Sequence, residues 1–304
     1  MKNKNEKKNL LSLKKQLKIH IDSINEVKLF PNGNIISVSS DKTIKIFDSN
    51  FKLIQNIING HEKEIISCDI KDDNIFLSSS NDLSIKIWMK KEKKFQSIST
   101  IKNAHNNYFY KAIFIPKTDK IISCYNVVKI WEKIINKNLY QNITILKEPH
   151  FIFSILYIQE NNILINSGWG GISFWKINEW KLIKHINEVS CWHKNSIFQL
   201  DNDKIIFGGD FFKCVMKVFS ISQMKIIIEI QNDFQCYSLF KLNKDNYFFC
   251  GGGSEINIYN KNNYKFIQKV KNAHNDIIHG FFKFKNFLGS FSKDGTIKIW
   301  GLSK

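Results

Sequence analysis

Seven times along this chain an alternating apolar segment ends on an aromatic residue, and this regularity restricts the possible folds severely. The aromatic residues are Phe47, Trp88, Trp131, Trp175, Phe219, Tyr259 and Trp300. They lie 41, 43, 44, 44, 40 and 41 residues apart. Seven units of about 42 residues account for nearly the whole chain, which is typical of a repeat architecture. We therefore expect one repeat domain over residues 11–304, after a flexible, lysine-rich tail at residues 1–10.

Inside each unit apolar and polar residues alternate, as in the segment from Thr296 to Trp300. A period of two, combined with many β-branched and aromatic residues, predicts strands rather than helices. Four strands fit into each unit. In the second unit the predicted strands are 65–70, 75–79, 85–88 and 95–101, with polar turns at 71–74, 81–82 and 90–94. The sequence therefore predicts an all-β protein.

Small residues precede a histidine near the start of several units, at Gly60-His61, Ala104-His105 and Ala273-His274. With strands such as the DGTIKIW segment ending at Trp300, these pairs give residues 12–304 a resemblance to the WD40 repeat family. The resemblance implies blades of four antiparallel strands, seven of which close into a β-propeller. Such a ring is physically reasonable because one sheet of this size cannot bury both faces, whereas radial stacking covers them and leaves only short edges.

The start of the chain is expected to close the ring. The seventh unit ends four residues after Trp300 and lacks an outer strand of its own. Residues 11–19 stand before His20 as residues 51–58 stand before His61. We therefore predict that the N-terminal strand pairs with the strand that contains Trp300.

The resemblance also implies a buried hydrogen-bond network in each complete blade, formed by a histidine, a serine, an aspartate and a tryptophan. The second unit supplies His61, Ser78, Asp82 and Trp88, and the seventh supplies His274, Ser290, Asp294 and Trp300. The first unit has His20, Ser37 and Asp41, but Phe47 replaces the tryptophan and removes its indole donor. We interpret these residues as architectural rather than catalytic.

Units three to six depart from this pattern and carry aromatic residues in or near their connecting loops. These residues are Tyr108, Phe109, Tyr125, Phe151, Trp169, Trp192, Phe211, Phe212 and Phe234. One hypothesis is that they form a partner-binding surface on one end of the ring, because aromatic side chains dominate protein-binding hot spots. Trp169, Phe211 and Phe212, all in predicted turns, have the strongest claim to exposure. The alternative is that these aromatic residues pack inward and fill space left by missing network members.

The net charge of +18 suggests nucleic acid, yet all 45 basic residues are lysines. Lysine cannot copy the bidentate contacts of arginine with phosphate or guanine, which argues against sequence-specific DNA binding and against a paired-arginine lipid site. Non-specific RNA contact remains the alternative function, with residues 2–8 and 90–94 as the expected contact points. The charge is equally explained by an AT-rich coding sequence, which favours lysine, asparagine, isoleucine and phenylalanine.

Catalytic and metal-binding patterns are missing from the sequence: there is no GxSxG, HExxH, GxxxxGK or CxxC motif. Cys191 and His193 are close in sequence, but no orienting partner is evident, so we interpret them as a structural pair. We expect an intracellular, cytoplasmic or nuclear protein without a secretion signal or membrane span. The predicted function is a non-catalytic scaffold that binds other proteins, with no cofactor, metal or small-molecule substrate.

Overall fold

The computed structural model describes residues 10–108, 110–148, 150–187, 189, 191, 193–208, 214–242 and 246–303. The first strands are β1 (Leu11–Lys18), β2 (Ile24–Leu29), β3 (Ile35–Ser39), β4 (Ile44–Phe47), β5 (Leu53–Ile57), β6 (Ile65–Asp72), β7 (Ile75–Ser80), β8 (Ile85–Lys91) and β9 (Lys94–Ile101). The next are β10 (Lys111–Phe114), β11 (Lys120–Cys124), β12 (Val127–Lys133), β13 (Tyr140–Lys147), β14 (Ile152–Ile158), β15 (Ile163–Gly168), β16 (Gly171–Lys176) and β17 (Lys181–Ile186). The last are β18 (Ile197–Gln199), β19 (Lys204–Gly208), β20 (Val215–Ser220), β21 (Lys225–Gln231), β22 (Ser238–Lys241), β23 (Tyr247–Gly252), β24 (Glu255–Asn260), β25 (Phe266–Val270), β26 (Ile278–Phe284), β27 (Phe287–Ser292) and β28 (Thr296–Leu302).

These strands form seven four-stranded antiparallel sheets, the blades of a β-propeller. Blade one is β2 to β5, blades two to six each take the next four strands in order from the channel outward, and blade seven consists of β26, β27, β28 and β1. The innermost strands β2, β6, β10, β14, β18, β22 and β26 each contact the next, and β26 contacts β2 again. The predicted all-β, seven-bladed ring is confirmed.

The ring is closed by β1, which is the outer strand of blade seven. It runs antiparallel to β28, with Leu11 opposite Leu302, Leu13 opposite Trp300 and Lys18 opposite Thr296. This is the closure that the sequence predicts. The predicted tail lies outside the described residues except for Leu10, whose backbone N–H donates to Gln268 Oε1 at 2.7 Å.

The core consists of seven apolar clusters, one between each pair of neighbouring blades. One cluster joins the two ends of the repeat, because Ile24 and Ile35 of blade one pack with Phe282 and Phe291 of blade seven. Each blade therefore buries both faces only through its neighbours, which makes closure of the ring a condition of stability.

The repeated aromatic residue marks a β-bulge in every blade. In blade two, Ile87 is opposite Ser99 whereas Trp88 is opposite Ser97, so Ile98 is an extra residue in the outer strand. A bulge bends the strand and increases its local twist. In the outer strand, the alternation of side chains therefore shifts by one residue opposite the aromatic side chain, which packs into the core between two blades.

The strand bounds predicted for the second unit are too short at its polar turns. β6 continues to Asp72, and β8 and β9 extend until Lys91 pairs with Lys94, which leaves only Glu92 and Lys93 in the turn. Glu92 takes the positive φ of 55° that this tight turn requires. Lysines at an exposed hairpin end continue backbone pairing while their side chains extend into solvent, so their charge does not end the strand.

Candidate functional site

In blade two the implied network forms a chain of hydrogen bonds around a buried histidine. Trp88 Nε1 donates to Ser78 Oγ at 2.8 Å, and Ser78 Oγ lies 2.7 Å from His61 Nε2. His61 Nδ1 lies 2.8 Å from Asp82 Oδ2. Burial lowers the pKa of His61, so its ring is neutral near pH 7. A neutral ring donates Nδ1–H to the carboxylate and accepts the serine hydroxyl at Nε2, which satisfies every member.

Blades one and seven contain related networks. His20 Nδ1 lies 2.8 Å from Asp41 Oδ2, and His20 Nε2 lies 2.8 Å from Ser37 Oγ, with no indole because Phe47 holds that position. In blade seven, Ser290 Oγ accepts from Trp300 Nε1 at 2.9 Å and lies 2.7 Å from His274 Nε2. His274 Nδ1 lies 3.3 Å from Asp294 Oδ2.

Sequence reasoning missed a fifth member of these networks, a hydroxyl two residues after the aspartate. Thr43, Ser84 and Thr296 each donate to the neighbouring aspartate Oδ1, at 2.6, 2.7 and 2.6 Å. The spacing Asp-x-Thr/Ser in units one, two and seven was the available indication.

The lysine in the third strand also has an architectural role that the sequence analysis did not identify. Lys45 Nζ donates to Ile19 O at 2.7 Å, and Lys86 Nζ donates to Gly60 O at 2.7 Å. Lys129 Nζ donates to Ala104 O at 2.8 Å in blade three. Each accepting carbonyl directly precedes the network histidine. Some of the lysines that give the chain its positive charge therefore hold loops in place within their own blades.

Blade three keeps more of the network than its sequence suggests. Ser123 Oγ lies 2.8 Å from His105 Nε2 and accepts from Trp131 Nε1 at 2.8 Å. Tyr125 occupies the aspartate position, with its ring centroid 6.5 Å from that of His105. Burial, and after it the charge of Lys129, lowers the pKa of His105 to about 3.

Blade four has a substitute network centred on a glutamate that the sequence analysis did not single out. Glu148 Oε1 accepts from Trp175 Nε1 and from Asn166 Nδ2, both at 2.9 Å. Glu148 Oε2 accepts from Ser173 Oγ at 2.9 Å. The glutamate thus takes the place of the missing histidine and aspartate. The space in this blade is filled without the nearby Trp169, whose side chain is 53% exposed.

Five aromatic rings form a continuous series on blades three and four, which we call the aromatic surface: Tyr110, Tyr125, Phe151, Phe153 and Trp169. Ring centroids are 4.6 Å apart for Phe153 and Tyr110, and 5.9 Å for Tyr110 and Tyr125. They are 5.4 Å apart for Tyr125 and Phe151, and 6.3 Å for Phe151 and Trp169. Phe151 is 39% exposed, and Tyr110 and Phe153 are half-buried. Three predicted site residues therefore belong to this series, with Phe151 in contact with both Tyr125 and Trp169.

The backbone of these loops holds the exposed rings in position. Ile152 N donates to Tyr125 O at 2.6 Å, and Trp169 N donates to Phe151 O at 3.1 Å. A Cβ at Gly168 would lie 1.8 Å from Phe151 O, so only glycine permits this close approach. Trp169 is thus presented outward from a turn whose backbone is fixed by its neighbour.

The remaining predicted surface residues have different positions. Tyr108 is 58% exposed in the loop that leads to Tyr110. Phe234 is half-buried and packs against the cluster between blades five and six, apart from the aromatic surface. Phe109, Trp192, Phe211 and Phe212 lie outside the described residues.

Cys191 and His193 lie in the loop before β18 and not on a strand. Cys191 is buried, and its Sγ donates to Gly208 O at 2.8 Å. Burial raises its pKa to about 12, which disfavours the nucleophilic thiolate. His193 stacks edge-on with Tyr237, at a centroid distance of 3.8 Å.

Among the residues that the structure describes, no group of three or more His, Cys, Asp or Glu side chains is placed to hold a metal ion. Within the described part of the chain, no helix has the length and apolar character needed to cross a membrane.

Comparison with known proteins finds the WD40 family, described as WD domain, G-beta repeat, at residues 11–48 and 52–89. Nuclear distribution protein nudF from Aspergillus flavus is 33% identical over 122 residues, covering 38% of this chain and 26% of the relative. Lissencephaly-1 homolog 1 from Paramecium tetraurelia is 38% identical over 72 residues, covering 23% and 18%. Mitochondrial division protein 1 from Aspergillus oryzae is 27% identical over 97 residues, covering 32% and 15%.

The chain thus matches about a quarter or less of the length of these curated relatives. The two matched WD40 segments span β1 to β4 and most of β5 to β8, and they include the networks of blades one and two. Blade seven repeats this network, whereas blade four builds a substitute from different side chains. This chain contains WD40 repeats and folds as a seven-bladed β-propeller.

Proposed function

We propose that this protein is a non-catalytic scaffold that docks another protein on the aromatic surface of blades three and four. The observation that carries the proposal is the unbroken contact from Tyr110 through Tyr125 and Phe151 to Trp169. Aromatic side chains in a partly covered patch supply large contact area at a low entropic cost, and truncating one at a protein interface costs on the order of 2 kcal/mol.

The substitute network of Glu148 supports this proposal over the inward-packing alternative. If Trp169 filled a vacancy left by the missing histidine and aspartate, it would be buried beside Trp175. Instead Glu148 accepts the Trp175 indole N–H, and Trp169 remains 53% exposed. An exposed tryptophan that is held between two glycines and stacked on Phe151 presents a large apolar area to solvent, which a bound partner would cover.

The names of the relatives do not identify a partner for this chain. Their names refer to nuclear distribution and to mitochondrial division, which are processes of those proteins. We propose for this chain only an intracellular protein partner, because the matches cover a small share of each relative. Non-specific RNA contact gains no support: lysines occur in all seven blades, and several of them bond to carbonyls within their own blade.

A matched pair of variants tests the proposal. Trp169 and Phe266 are both 53% exposed, but Phe266 lies on the outer strand β25 of blade six, away from the aromatic surface. Tagged wild type, Trp169→Ser and Phe266→Ser would be recovered from native cell extract, and bound proteins quantified by mass spectrometry. We expect a specific set of proteins to be lost with Trp169→Ser and kept with Phe266→Ser, while both variants unfold at the same urea concentration as wild type. Equal binding by all three would overturn the proposed surface.

A further inference from the structure

The central channel holds a cluster of charged side chains that the proposed docking surface does not use. Glu26 and Lys28 lie on β2, Asp69 on β6, Lys111 on β10, and Lys194 just before β18. Glu26 is close enough to Lys28, Lys111 and Lys194 to influence the charge state of all three. Glu26 is the buried member of the cluster, and a glutamate is rarely buried unless it is paired, so its surroundings call for a functional explanation.

One end of the channel is closed by residues 193–196, which we call the channel plug. Lys194 Nζ donates to Ile66 O of blade two at 2.7 Å, and Lys194 O accepts from Ser154 Oγ of blade four at 2.7 Å. Asn195 Nδ2 donates to His279 O of blade seven at 2.9 Å. The plug lies where the inner strands begin. A ligand would therefore enter from the end where those strands finish.

Next to the plug lies a cavity of about 370 Å³ that has a polar side and an apolar side. Its polar side includes Glu26, Lys28, Lys111 and Lys283, and its apolar side includes Phe198 and Phe240. Lys111 Nζ donates to Lys194 O at 3.2 Å and to Asn195 Oδ1 at 3.3 Å, which uses two of its three N–H donors. One donor remains for a ligand.

The two carboxylates of the cluster differ in how they are satisfied. Asp69 Oδ2 accepts from Phe114 N at 2.9 Å, and Asp69 Oδ1 lies 3.6 Å from Lys28 Nζ. Glu26 is only 4% exposed, yet its Oε2 accepts no hydrogen bond from the residues that the structure describes. A buried carboxylate oxygen without a donor is costly, and here it borders a cavity. This oxygen points to a ligand that brings a hydrogen-bond donor.

The lining restricts the chemical class of that ligand. A simple anion would be attracted by the lysines but repelled by Glu26, and a simple cation would be repelled by the lysines. A sugar phosphate satisfies both, because its phosphate pairs with Lys28, Lys111 and Lys283 while a hydroxyl donates to Glu26. The phenylalanine rings then cover an apolar face of the ligand.

We propose that the channel cavity binds a small phosphorylated sugar, either as a free sugar phosphate or as the ribose phosphate part of a nucleotide. The molecule is a bound ligand, and no reaction is attributed to the site. The proposal does not depend on the aromatic surface, since the cavity and that surface have no residue in common. Either proposal can therefore fail while the other holds.

Calorimetric titration of the purified chain tests this site with ribose 5-phosphate, AMP, inorganic phosphate and adenosine as probes. Binding of ribose 5-phosphate or AMP, at least about tenfold tighter than that of phosphate or adenosine, is the expected result. Binding of both identifies the sugar phosphate as sufficient, and binding of AMP alone identifies a nucleotide site. No binding of either probe up to about 10 mM would overturn the proposal.

Lysine variants then locate the binding. Lys283 is exposed at the open end of the cavity, so Lys283→Met should fold normally and weaken binding about tenfold. Lys94→Met removes the same charge from an exposed hairpin of blade two and should leave binding unchanged. Glu26→Gln should also weaken binding, because it replaces the charged acceptor of the ligand hydroxyl with a weaker, neutral one. Equal losses in Lys283→Met and Lys94→Met would contradict the proposed site.

Discussion

Lys194 Nζ, in the loop before blade five, lies 2.7 Å from the backbone carbonyl oxygen of Ile66 in blade two, 128 residues earlier in the chain. The side chain crosses the channel and joins two blades that are not neighbours in the ring. Burial lowers the pKa of Lys194 to about 8, a change that Lys111 reinforces and Glu26 opposes. Holding this ammonium in place therefore has a free-energy cost at neutral pH.

The first prediction concerns the pH dependence of that cost. The pKa of Lys194 is about 8 in the folded chain and about 10.4 in an unfolded one, so the unfolded state binds more protons between these values. Stability contributed by this residue must then rise with pH across that window. We expect the free energy of unfolding of wild type to rise by about 1 to 3 kcal/mol relative to Lys194→Met between pH 8 and 10.

Urea unfolding of both proteins at several pH values provides the measurement. The comparison with Lys194→Met removes the contributions of cysteines and tyrosines that titrate in the same range. A constant difference between the two proteins from pH 8 to 10 would show that Lys194 is not desolvated in the channel.

The second prediction concerns the buried network of blade two. Removing the Asp82 carboxylate leaves His61 Nδ1–H and the Ser84 hydroxyl without their acceptor. Asp82→Ala should therefore lower the free energy of unfolding by about 1 to 3 kcal/mol. Glu62→Ala is the matched control, because Glu62 is exposed in the loop directly after His61. Similar losses in both variants would refute a special role for the network.

The third prediction concerns ring closure by β1. Deleting residues 1–19 removes the outer strand of blade seven, uncovers Trp300 and leaves β28 as an unpaired edge. We expect a loss of about 3 kcal/mol or more in the free energy of unfolding, a large part of the stability of a typical domain. Deleting residues 1–8 leaves β1 complete and should change the melting temperature little. An unchanged melt after the longer deletion would contradict the observed register.

The architecture was predictable because it follows from features that repeat. Seven aromatic residues at nearly constant spacing predict the blades, and the segment before His20 predicts closure through Leu11–Lys18. These features can be recognised in the sequence because they follow from the alternation of apolar and polar residues along each strand and from the apolar faces that the strands must bury. The structure adds that the repeated aromatic residue lies opposite a β-bulge in every blade, a detail that the spacing alone does not predict.

The substitute network and the channel plug could not be predicted in the same way. Glu148 lies 27 residues before Trp175, the same separation as His61 and Trp88, but the repeat pattern expects a histidine there and gives no sign that a glutamate replaces it. Lys194 reaches Ile66 only because seven blades of particular width close into a ring. The contact of Lys194 with Ile66 has no characteristic spacing in the sequence. Tyr110 and Phe153 were likewise overlooked because their sequence positions do not reveal that their rings bridge blades three and four.

The most direct test of the scaffold proposal is recovery of tagged wild-type protein from native cell extract, with and without nuclease, at about 50 mM and about 500 mM salt. A partner held by the aromatic surface binds mainly through apolar contact, which ionic strength and nuclease affect little. We predict that the same proteins are recovered under all four conditions. Loss of those proteins after nuclease treatment and at raised salt would contradict the scaffold proposal and assign binding to the lysines and nucleic acid.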